Sequence, residues 1–300
     1  MPGDPLKQFK RDNPDISEKE IDDFKKKKGL DKSFIVRYLN YMCRFLPEIN
    51  FKDNDFKINW NFGISSRYQV EVSYLLKERI ITTLNLTIPV FILSLIVAIP
   101  IGIFSAVYQY SKFDYLMSLF TFIGISLPTF WLGLMLIYIF SLQFQVFPAS
   151  GIETINVSSF IDQVKHFVLP IFVLSIHRIG SLVRFFRGSL LDVLKLDYIR
   201  TARAKGLSED VVIFKHALKN AMIPLLTILA LSMPHVISGA LITEQIFGIP
   251  GMGELMLDAI KEKDIEIAMT SFLFLAILTL IFNLLADLLY GFVDPRIKKP

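Results

Sequence analysis

The sequence predicts an all-α membrane protein, and three observations lead to that class. Apolar residues make up 53% of the 300 residues, and phenylalanine alone contributes 27. Five segments are long and apolar enough to cross a hydrocarbon core, which needs about 20 such residues. Their prolines and glycines would break soluble helices but are tolerated in membrane bundles. The predicted spans are about 80–109, 115–142, 168–186, 221–242 and 270–290, within a transmembrane domain of residues 80–293.

The residues before the first span, 1–79, are polar, and we predict that they lie outside the cytoplasm. Ser17 precedes Glu20 by three residues, which is the spacing of a capping box and predicts a solvated helix from Ser17 to Lys28. Cys43 is the only cysteine, so the chain cannot form an internal disulfide. We assign no chemistry to this region.

The first two spans follow each other closely, joined by residues 110–114. Pro89 and Pro100 lie within the first, and the second contains Pro128 near Trp131. Packing and interfacial anchoring account for Pro128 and Trp131. A polar, loop-like connection, 143–167, then leads to the third span.

Ionisable residues lie within the later spans. The third span contains His177 and Arg178, the fifth contains Asp287, and the fourth is interrupted by Pro234 and His235. Charged side chains are expensive inside hydrocarbon, so they should face protein or a watery cavity. His177, Arg178 and Asp287 are therefore candidates for the translocation path. A structural contact between helices explains His177 and Arg178 equally well.

A basic cytoplasmic loop, residues 187–220, joins the third and fourth spans. Its pattern predicts two helices that meet at residues 206–208. Asp197 is placed to cap the first helix, Gly206 supplies its left-handed ending, and Ser208 is placed to cap the second.

Small residues lie among positive charges on the first of these helices. The small side chains of Ala202 and Ala204 leave a low surface, without protruding side chains. The surrounding residues are Arg200, Arg203 and Lys205. Such a surface is suited to accepting the side chains of another protein. A solvated basic loop, or one held by anionic lipid, is the alternative interpretation.

The segment that follows the fourth span, 243–269, is rich in glycine. Gly248, Gly251 and Gly253 lack the spacing of a phosphate-binding loop and the Lys-Ser/Thr pair that completes it. We predict a turn followed by an amphipathic helix at the membrane interface.

Positive charge orients the spans. Eight lysines and arginines lie in residues 184–219, against one in 143–167 and two in 243–269. The positive-inside rule places the basic loop and the tail, 294–300, in the cytoplasm. Five spans then leave the N-terminal region outside, although it contains nothing like a signal peptide or a leading span. We expect a sixth helix upstream of Met1. A five-span protein whose first span carries that region across is the alternative.

Several motifs together resemble those of one group of transport proteins. The basic loop reads DYIRTARAKGL and then HALKNA, the segment after the fourth span matches E-x-I-F-x-x-P-G-x-G, and the ends of the chain show PGDP and DPRI. These motifs are similar to those of permease subunits of ATP-binding cassette (ABC) importers, in the peptide and nickel branch. The resemblance covers residues 64–295 and implies a type I importer fold, a MetI-like helical bundle.

In that family the basic loop carries a coupling helix that docks into a cleft of the ATPase subunit. When the chain is aligned on Gly206, the family's EAA triplet falls on Arg200, Thr201 and Ala202. Only the last alanine of the triplet is identical in this chain. The resemblance implies that the ATPase-coupling residues are Asp197, Arg200, Thr201, Ala202, Arg203, Ala204, Lys205, Gly206, Leu207 and Ser208.

The resemblance also implies partners, a location and a function. The expected partners, in a bacterial cytoplasmic (inner) membrane, are cytoplasmic ABC ATPases, a second permease, an extracytoplasmic substrate-binding protein and membrane lipid. The two permeases are expected to form a heterodimer, with a homodimer as the alternative. The ATPases would drive alternating access for di- or oligopeptides, with nickel or glutathione as the alternative cargo.

The sequence offers no catalytic chemistry of its own. It contains no Walker A motif, zinc-ligand cluster, nucleophile elbow or dinucleotide fingerprint, so we expect no catalytic residue, metal or cofactor. An ion-coupled secondary transporter is the rival class and could use the three ionisable residues of the spans. Nucleic acid is not an expected partner, because the net charge is only +4 and the basic helices lie between two spans.

Overall fold

Helices dominate the computed structural model, which describes residues 17–27, 31–43, 48–52, 55–59, 62–157 and 159–293. The chain divides into two compact units, residues 1–76 with 259–270 and residues 77–258 with 271–300. In the described part, four helices are long and apolar enough to cross a membrane, or five if one bent pair counts as a span. The PGDP and DPRI motifs, Lys28 and the tail lie outside the described residues.

The elements run in the following order. The N-terminal part contains α1 (Glu18–Lys27), α2 (Phe34–Cys43) and the antiparallel strands β1 (Glu48–Lys52) and β2 (Asp55–Asn59). Next come α3 (Val72–Val107), α4 (Lys112–Ser126), α5 (Thr129–Leu136) with a π-helical continuation Ile137–Gln143, and α6 (Phe160–Leu194). The rest comprises α7 (Asp197–Ala204), α8 (Glu209–Val211) with a π-helical continuation Val212–Ala217, α9 (Leu218–Leu231), α10 (Met233–Ser238), α11 (Leu241–Ile246), α12 (Met252–Lys261) and α13 (Ile265–Val293).

The capping box at the start of α1 is confirmed. The Ser17 hydroxyl donates to Glu20 Oε2 at 2.8 Å, and the Glu20 N–H donates to Ser17 Oγ at 3.4 Å. Hydrogen bonds from Ser17 hold the pKa of Glu20 below its ordinary value. The hairpin of β1 and β2 has no counterpart in the sequence prediction, which assigned no strand to this polar region.

Within the first unit, Asp264 joins the turn before α3 to the start of α13. The carboxylate is 2% exposed. Its Oδ2 accepts hydrogen bonds from the Ser65 hydroxyl at 2.6 Å and from the Arg67 N–H at 3.1 Å. Its Oδ1 accepts from the Ile267 N–H at 3.2 Å, so Asp264 also caps α13.

The long helices extend beyond the apolar segments that predicted them. α3 begins at Val72 rather than at residue 80, and α6 covers Phe160–Leu194 rather than 168–186. Each is about 50 Å long at about 1.5 Å per residue, which exceeds a hydrocarbon core of about 30 Å. A hydropathy pattern marks only the apolar middle of such a helix. The predicted loops 143–167 and 187–220 are correspondingly shorter.

The predicted second span, 115–142, corresponds to two helical segments with a sharp bend between them. α4 ends at Ser126, α5 begins at Thr129, and the two segments are bent by 96°. Pro128 lacks an N–H and disfavours a helical conformation at the residue before it. Leu127 is accordingly extended, with φ −75° and ψ 125°.

The predicted interruption of the fourth span is confirmed. α9 ends at Leu231, and α10 begins at Met233 with Pro234 in its first turn. The glycine-rich turn then leads to α12, which is the helix predicted after it. The predicted fifth span, 270–290, lies within α13.

Two apolar clusters form the core of the second unit. The larger one joins α3, α6, α7, the continuation of α8, and α9, and its buried members are Ala98, Ile103, Ala106, Leu182, Val183, Phe186, Leu190, Ile199, Ala202, Val212, Ile213, Ala217, Ala221, Leu225 and Leu229. The smaller one consists of Leu86, Leu136, Leu169, Val173, Phe247 and Ile249. The basic loop is thus packed into the core of this unit.

Helices α4 and α6 cross at close range. A Cβ on Gly180 would lie 2.9 Å from the backbone oxygen of Thr121 and 2.9 Å from a side-chain carbon of Ile125. Near the start of α4, Arg187 binds the buried Asp114 with two hydrogen bonds of 2.7 Å. Close backbone contact and an ion pair therefore hold the two helices together.

The crossing of α4 and α6 yields a matched test within one helix. Gly180→Ala should lower the free energy of unfolding by about 1–3 kcal/mol, because the added methyl group overpacks the contact with α4. Gly188→Ala should be neutral or stabilise by up to about 1 kcal/mol through helix propensity, since nothing lies within 4 Å of a Cβ there. Thermal unfolding in detergent measures both, and equal melting temperatures would contradict the close crossing.

Candidate coupling and translocation sites

The two predicted loop helices are present and meet at the predicted turn. α7 ends at Ala204, α8 begins at Glu209, and Gly206 has φ +76° between them. A residue with a Cβ is strained in this left-handed conformation. Nothing lies within 4 Å of a Cβ on Gly206. The backbone conformation, rather than lack of space, therefore favours glycine here.

The predicted helix caps are only partly present. Asp197 does not cap α7, because Leu196 occupies the cap position in an extended conformation and Asp197 lies in the first turn. A carboxylate there complements the helix dipole instead. Ser208 occupies the cap position of α8, but its side chain makes no capping hydrogen bond.

Ala202 faces the core rather than a partner. It is 7% exposed and, with the fully buried Ile199, belongs to the larger cluster. Phe186 and Leu190 of α6 belong to the same cluster. The small side chain at position 202 lets α7 lie close to α6, and the expectation that Ala202 forms part of an exposed low surface is wrong.

The opposite face of the helix pair is exposed. The exposed residues from the predicted coupling set are Asp197, Arg200, Thr201, Arg203, Ala204, Lys205, Gly206, Leu207 and Ser208. Apolar side chains lie near them, since Tyr198, Val211 and Phe214 are 40%, 37% and 58% exposed. Arg200 Nη1 lies 3.5 Å from Asp197 Oδ1, so the face combines charges of both signs with apolar surface.

Arg203 already has a partner within the chain. Its Nε donates to Glu209 Oε1 at 2.8 Å and its Nη2 to Glu209 Oε2 at 3.2 Å. This bidentate pair spans the Gly206 turn and joins α7 to α8. The Asn220 amide in α9 donates to the Tyr198 hydroxyl at 2.6 Å, which ties α7 to a third helix.

A cavity of about 330 Å³ lies among α3, α6, α9 and α10 and contains two of the three predicted path residues. Its polar lining side chains are Thr87, His177, Arg178, Ser181, Ser232 and His235, and its other lining residues are apolar or small. No aspartate or glutamate is among these lining residues. Asp287 is exposed on α13 and does not line this cavity.

Arg178 is held in this cavity by two contacts. Its Nη2 donates to the Ser232 hydroxyl at 2.8 Å, and the guanidinium carbon lies 4.8 Å from the centre of the Phe91 ring. The buried Nε has no hydrogen-bond partner among the described residues. Sequence reasoning missed Ser232, because a contact across 54 positions leaves no local signal.

A buried carboxyl group organises the glycine-rich turn next to this cavity. Glu244 is 0% exposed. Its Oε1 accepts hydrogen bonds from the Thr83 hydroxyl at 2.9 Å and from the Ala240 N–H at 3.3 Å, and its Oε2 accepts from the Glu254 N–H at 3.1 Å. A Cβ on Gly251 would overlap this carboxyl group. The glycines of the E-x-I-F-x-x-P-G-x-G motif thus make room for its glutamate.

An ion pair holds the start of α12. Arg79 Nη1 lies 3.1 Å from Glu254 Oε2. Burial raises the pKa of Glu254, the charge of Asp258 acts in the same direction, and the charge of Arg79 opposes both. No local pattern predicted this pair, because its members lie 175 positions apart.

Long apolar helices with a helix pair packed into their core are an arrangement that suits a membrane transport protein. Residues 98–299 match the family described as "binding-protein-dependent transport system inner membrane component". The chain belongs to this family, which confirms the predicted permease class and its location in the membrane.

Similar proteins extend this finding. The chain is 40% identical to the oligopeptide transport system permease protein AppB of Bacillus subtilis strain 168, over 99% of this chain and 90% of that protein. It is 36% identical to the dipeptide transport system permease protein DppB of Escherichia coli K12, over 90% of this chain and 83% of that protein. A solved structure of the MetNI methionine ABC transporter in an inward-facing conformation aligns with TM-score 0.56 and 17% identity, over 74% of this chain and 97% of that chain. The MetI-like fold is therefore confirmed.

The hydrogen bonds of Glu244 predict the effect of a conservative change. Glu244→Gln should lower the free energy of unfolding by about 1–3 kcal/mol. Whichever way the new amide turns, its NH₂ group meets the N–H of Ala240 or Glu254 and leaves that donor unsatisfied. Thermal unfolding in detergent measures the loss. Glu153→Gln, at an exposed position, is the control, and an equal effect of the two changes would show that the contacts of Glu244 add nothing.

Proposed function

We propose that this chain is the permease subunit of an ABC importer for di- or oligopeptides. Separate cytoplasmic ATPase subunits would drive alternating access of the transmembrane bundle. The names of the two relatives support the peptide cargo, since one is an oligopeptide and the other a dipeptide transport permease. The absence of a Walker A motif from the sequence is the reason to assign ATP hydrolysis to partner subunits.

The observation that carries this proposal is the two-sided character of the α7–α8 pair. Ile199 and Ala202 fix its inner side in the core, and its outer side is exposed and carries charges of both signs. The Arg203–Glu209 pair joins the two helices. A push on the outer side would therefore move the pair as one body and act on the core helices behind it.

The exposed residues divide into two roles in this proposal. Arg200 and Lys205 supply positive charge for an acidic rim of the ATPase cleft, while Thr201 and Ser208 offer hydroxyl groups. Leu207 and Phe214, which are 40% and 58% exposed, supply the apolar contact that the centre of a stable interface needs. Ala204 and Gly206 leave space for the ATPase to approach.

The remaining partners follow from the family. A binding-protein-dependent system supplies an extracytoplasmic binding protein that delivers the substrate, and we propose a second, related permease as the other half of the pathway. Nickel and glutathione are alternative cargoes that the same uptake assay distinguishes. An ion-coupled secondary transporter would instead support uptake in vesicles without ATP.

The turn at Gly206 provides a test of coupling. Gly206→Val should reduce ATP-dependent uptake of radiolabelled trialanine at least about fivefold, because a β-branched residue resists φ +76° by about 1–2 kcal/mol and displaces α8. Gly206→Asn is the matched control, since asparagine tolerates the left-handed region. Both variants should reach the membrane in normal amounts. Normal uptake by Gly206→Val would remove the coupling role of this turn.

The Arg203–Glu209 pair provides a second test, by co-purification of the ATPase subunits with the extracted permease. If Arg203 acts by stiffening the helix pair, Arg203→Ala and Glu209→Ala should weaken ATPase recovery equally. If Arg203 contacts the ATPase directly, only Arg203→Ala should weaken it. The bidentate geometry predicts the first result. Lys195→Ala, which removes an exposed positive charge outside the predicted coupling set, serves as the control.

A further inference from the structure

The cavity among α3, α6, α9 and α10 has the charge of an anion site. Arg178 is ionised at any physiological pH, and two histidines, His177 and His235, share the cavity wall with it. No carboxylate of the described chain lines the cavity to balance this charge. We propose that the cavity binds the carboxylate group of the transported peptide, with Arg178 as the cationic contact. This proposal rests on the proposed function as a peptide importer.

The depth of Arg178 explains why a ligand is needed there. It lies near the middle of α6, about 25 Å from either end of the helix at about 1.5 Å per residue. A guanidinium at that depth is costly unless it is paired or faces a watery path. Only the hydroxyl of Ser232 accepts a hydrogen bond from it among the described residues. A bound carboxylate would supply the missing negative charge.

The hydrogen bonding of Arg178 leaves capacity for such a ligand. A guanidinium carries five N–H donors in a planar fork that matches a carboxylate. Stacking on Phe91 and the bond to Ser232 fix the plane of this fork. Fixing the group in advance reduces the entropy that binding must overcome.

The shape of the cavity fits a small peptide end. Its volume of about 330 Å³ lies at the lower end of the range for ligand pockets, about 300–1,000 Å³. His177 and His235 are exposed at its wall, so the cavity is open to its surroundings. Apolar residues such as Leu174 and Ile228 complete the lining and suit the remainder of a peptide of low charge.

A second cavity supplies a matched control. It has a volume of about 530 Å³, lies between α3 and α6, and is lined only by uncharged residues, including Asn85. In a Cys43→Ser background, which removes the only cysteine, Ser181→Cys would report on the Arg178 cavity and Asn85→Cys on the uncharged one. Both substitutions are at exposed positions.

The experiment compares labelling by an anionic and a cationic methanethiosulfonate reagent in membrane vesicles that contain the whole transporter. The ratio of anionic to cationic labelling rates should be on the order of tenfold higher at Ser181→Cys than at Asn85→Cys, because Arg178 attracts the anion at short range. Arg178→Gln should abolish this preference and Arg178→Lys should keep most of it. If the ratio of anionic to cationic labelling rates is equal at the two cysteines while Arg178 is present, the anion site is wrong. This outcome does not depend on whether an Arg178 variant folds.

A protection assay then identifies the ligand chemistry. Trialanine should slow labelling of Ser181→Cys, and trialanine amide, which lacks the carboxylate, should not. Slowing by an Ala-Glu-Ala amide as well would assign the site to carboxylates of either the terminus or a side chain. Equal protection by trialanine and its amide would overturn a carboxylate site.

Uptake by the intact transporter separates this proposal from the proposed function. If trialanine is imported with ATP but Ser181→Cys shows no anion preference, the carboxylate site is wrong and the importer function stands. If the anion preference is present but no peptide is imported or protects, the peptide function is wrong and the site is an anion site of another kind. Trialanine protection together with uptake that falls in Arg178→Gln and recovers in Arg178→Lys would support both.

Discussion

The constraint on which this structure depends is that polar groups inside a membrane bundle must find their partners within the protein. Glu244 shows this most clearly, since a fully buried carboxyl group accepts bonds from two backbone N–H groups and a threonine hydroxyl. The buried carboxylate of Asp114 likewise accepts two hydrogen bonds from the guanidinium of Arg187. Each contact joins separate segments of the chain, so satisfying the polar group also fixes how the helices pack.

Chain continuity and a hydrogen bond link the α7–α8 pair to the helices of the bundle. α6 runs directly into α7, and the continuation of α8 runs directly into α9. The Ser189 hydroxyl donates to the backbone oxygen of Ala221 at 3.0 Å, so α6 and α9 are also joined just behind the pair. A displacement of α7 and α8 therefore acts on two core helices at once, which is the geometry that a rigid coupling element requires.

Local patterns allowed the sequence to predict some features and not others. The Gly206 turn, the Ser17–Glu20 box and the break before Pro234 were predictable because each depends on residues within a few positions. The bend at Pro128 had a local signal. Pro89 and Pro100, however, lie inside the continuous helix α3, so the presence of proline alone could not separate a bend from an unbroken helix. The Glu244–Thr83 contact spans 161 positions and had no local signal. Ala202 was assigned to the wrong face because its size suited both docking and core packing.

Substrate binding in the cavity, as proposed, would have a route to the helices α7 and α8. Arg178 lies on α6 and Ser232 follows α9, so their hydrogen bond bridges the two helices that flank the α7–α8 pair in the chain. A ligand shifts a conformational equilibrium only as far as its affinities for the two states differ. If α6 and α9 move relative to each other, the guanidinium of Arg178 loses or gains its hydrogen bond to Ser232. The affinity of Arg178 for a carboxylate then changes as well. By reciprocity, a carboxylate that prefers one arrangement biases the helix pair toward it. Substrate and ATPase would then act on the same pair of helices from opposite ends.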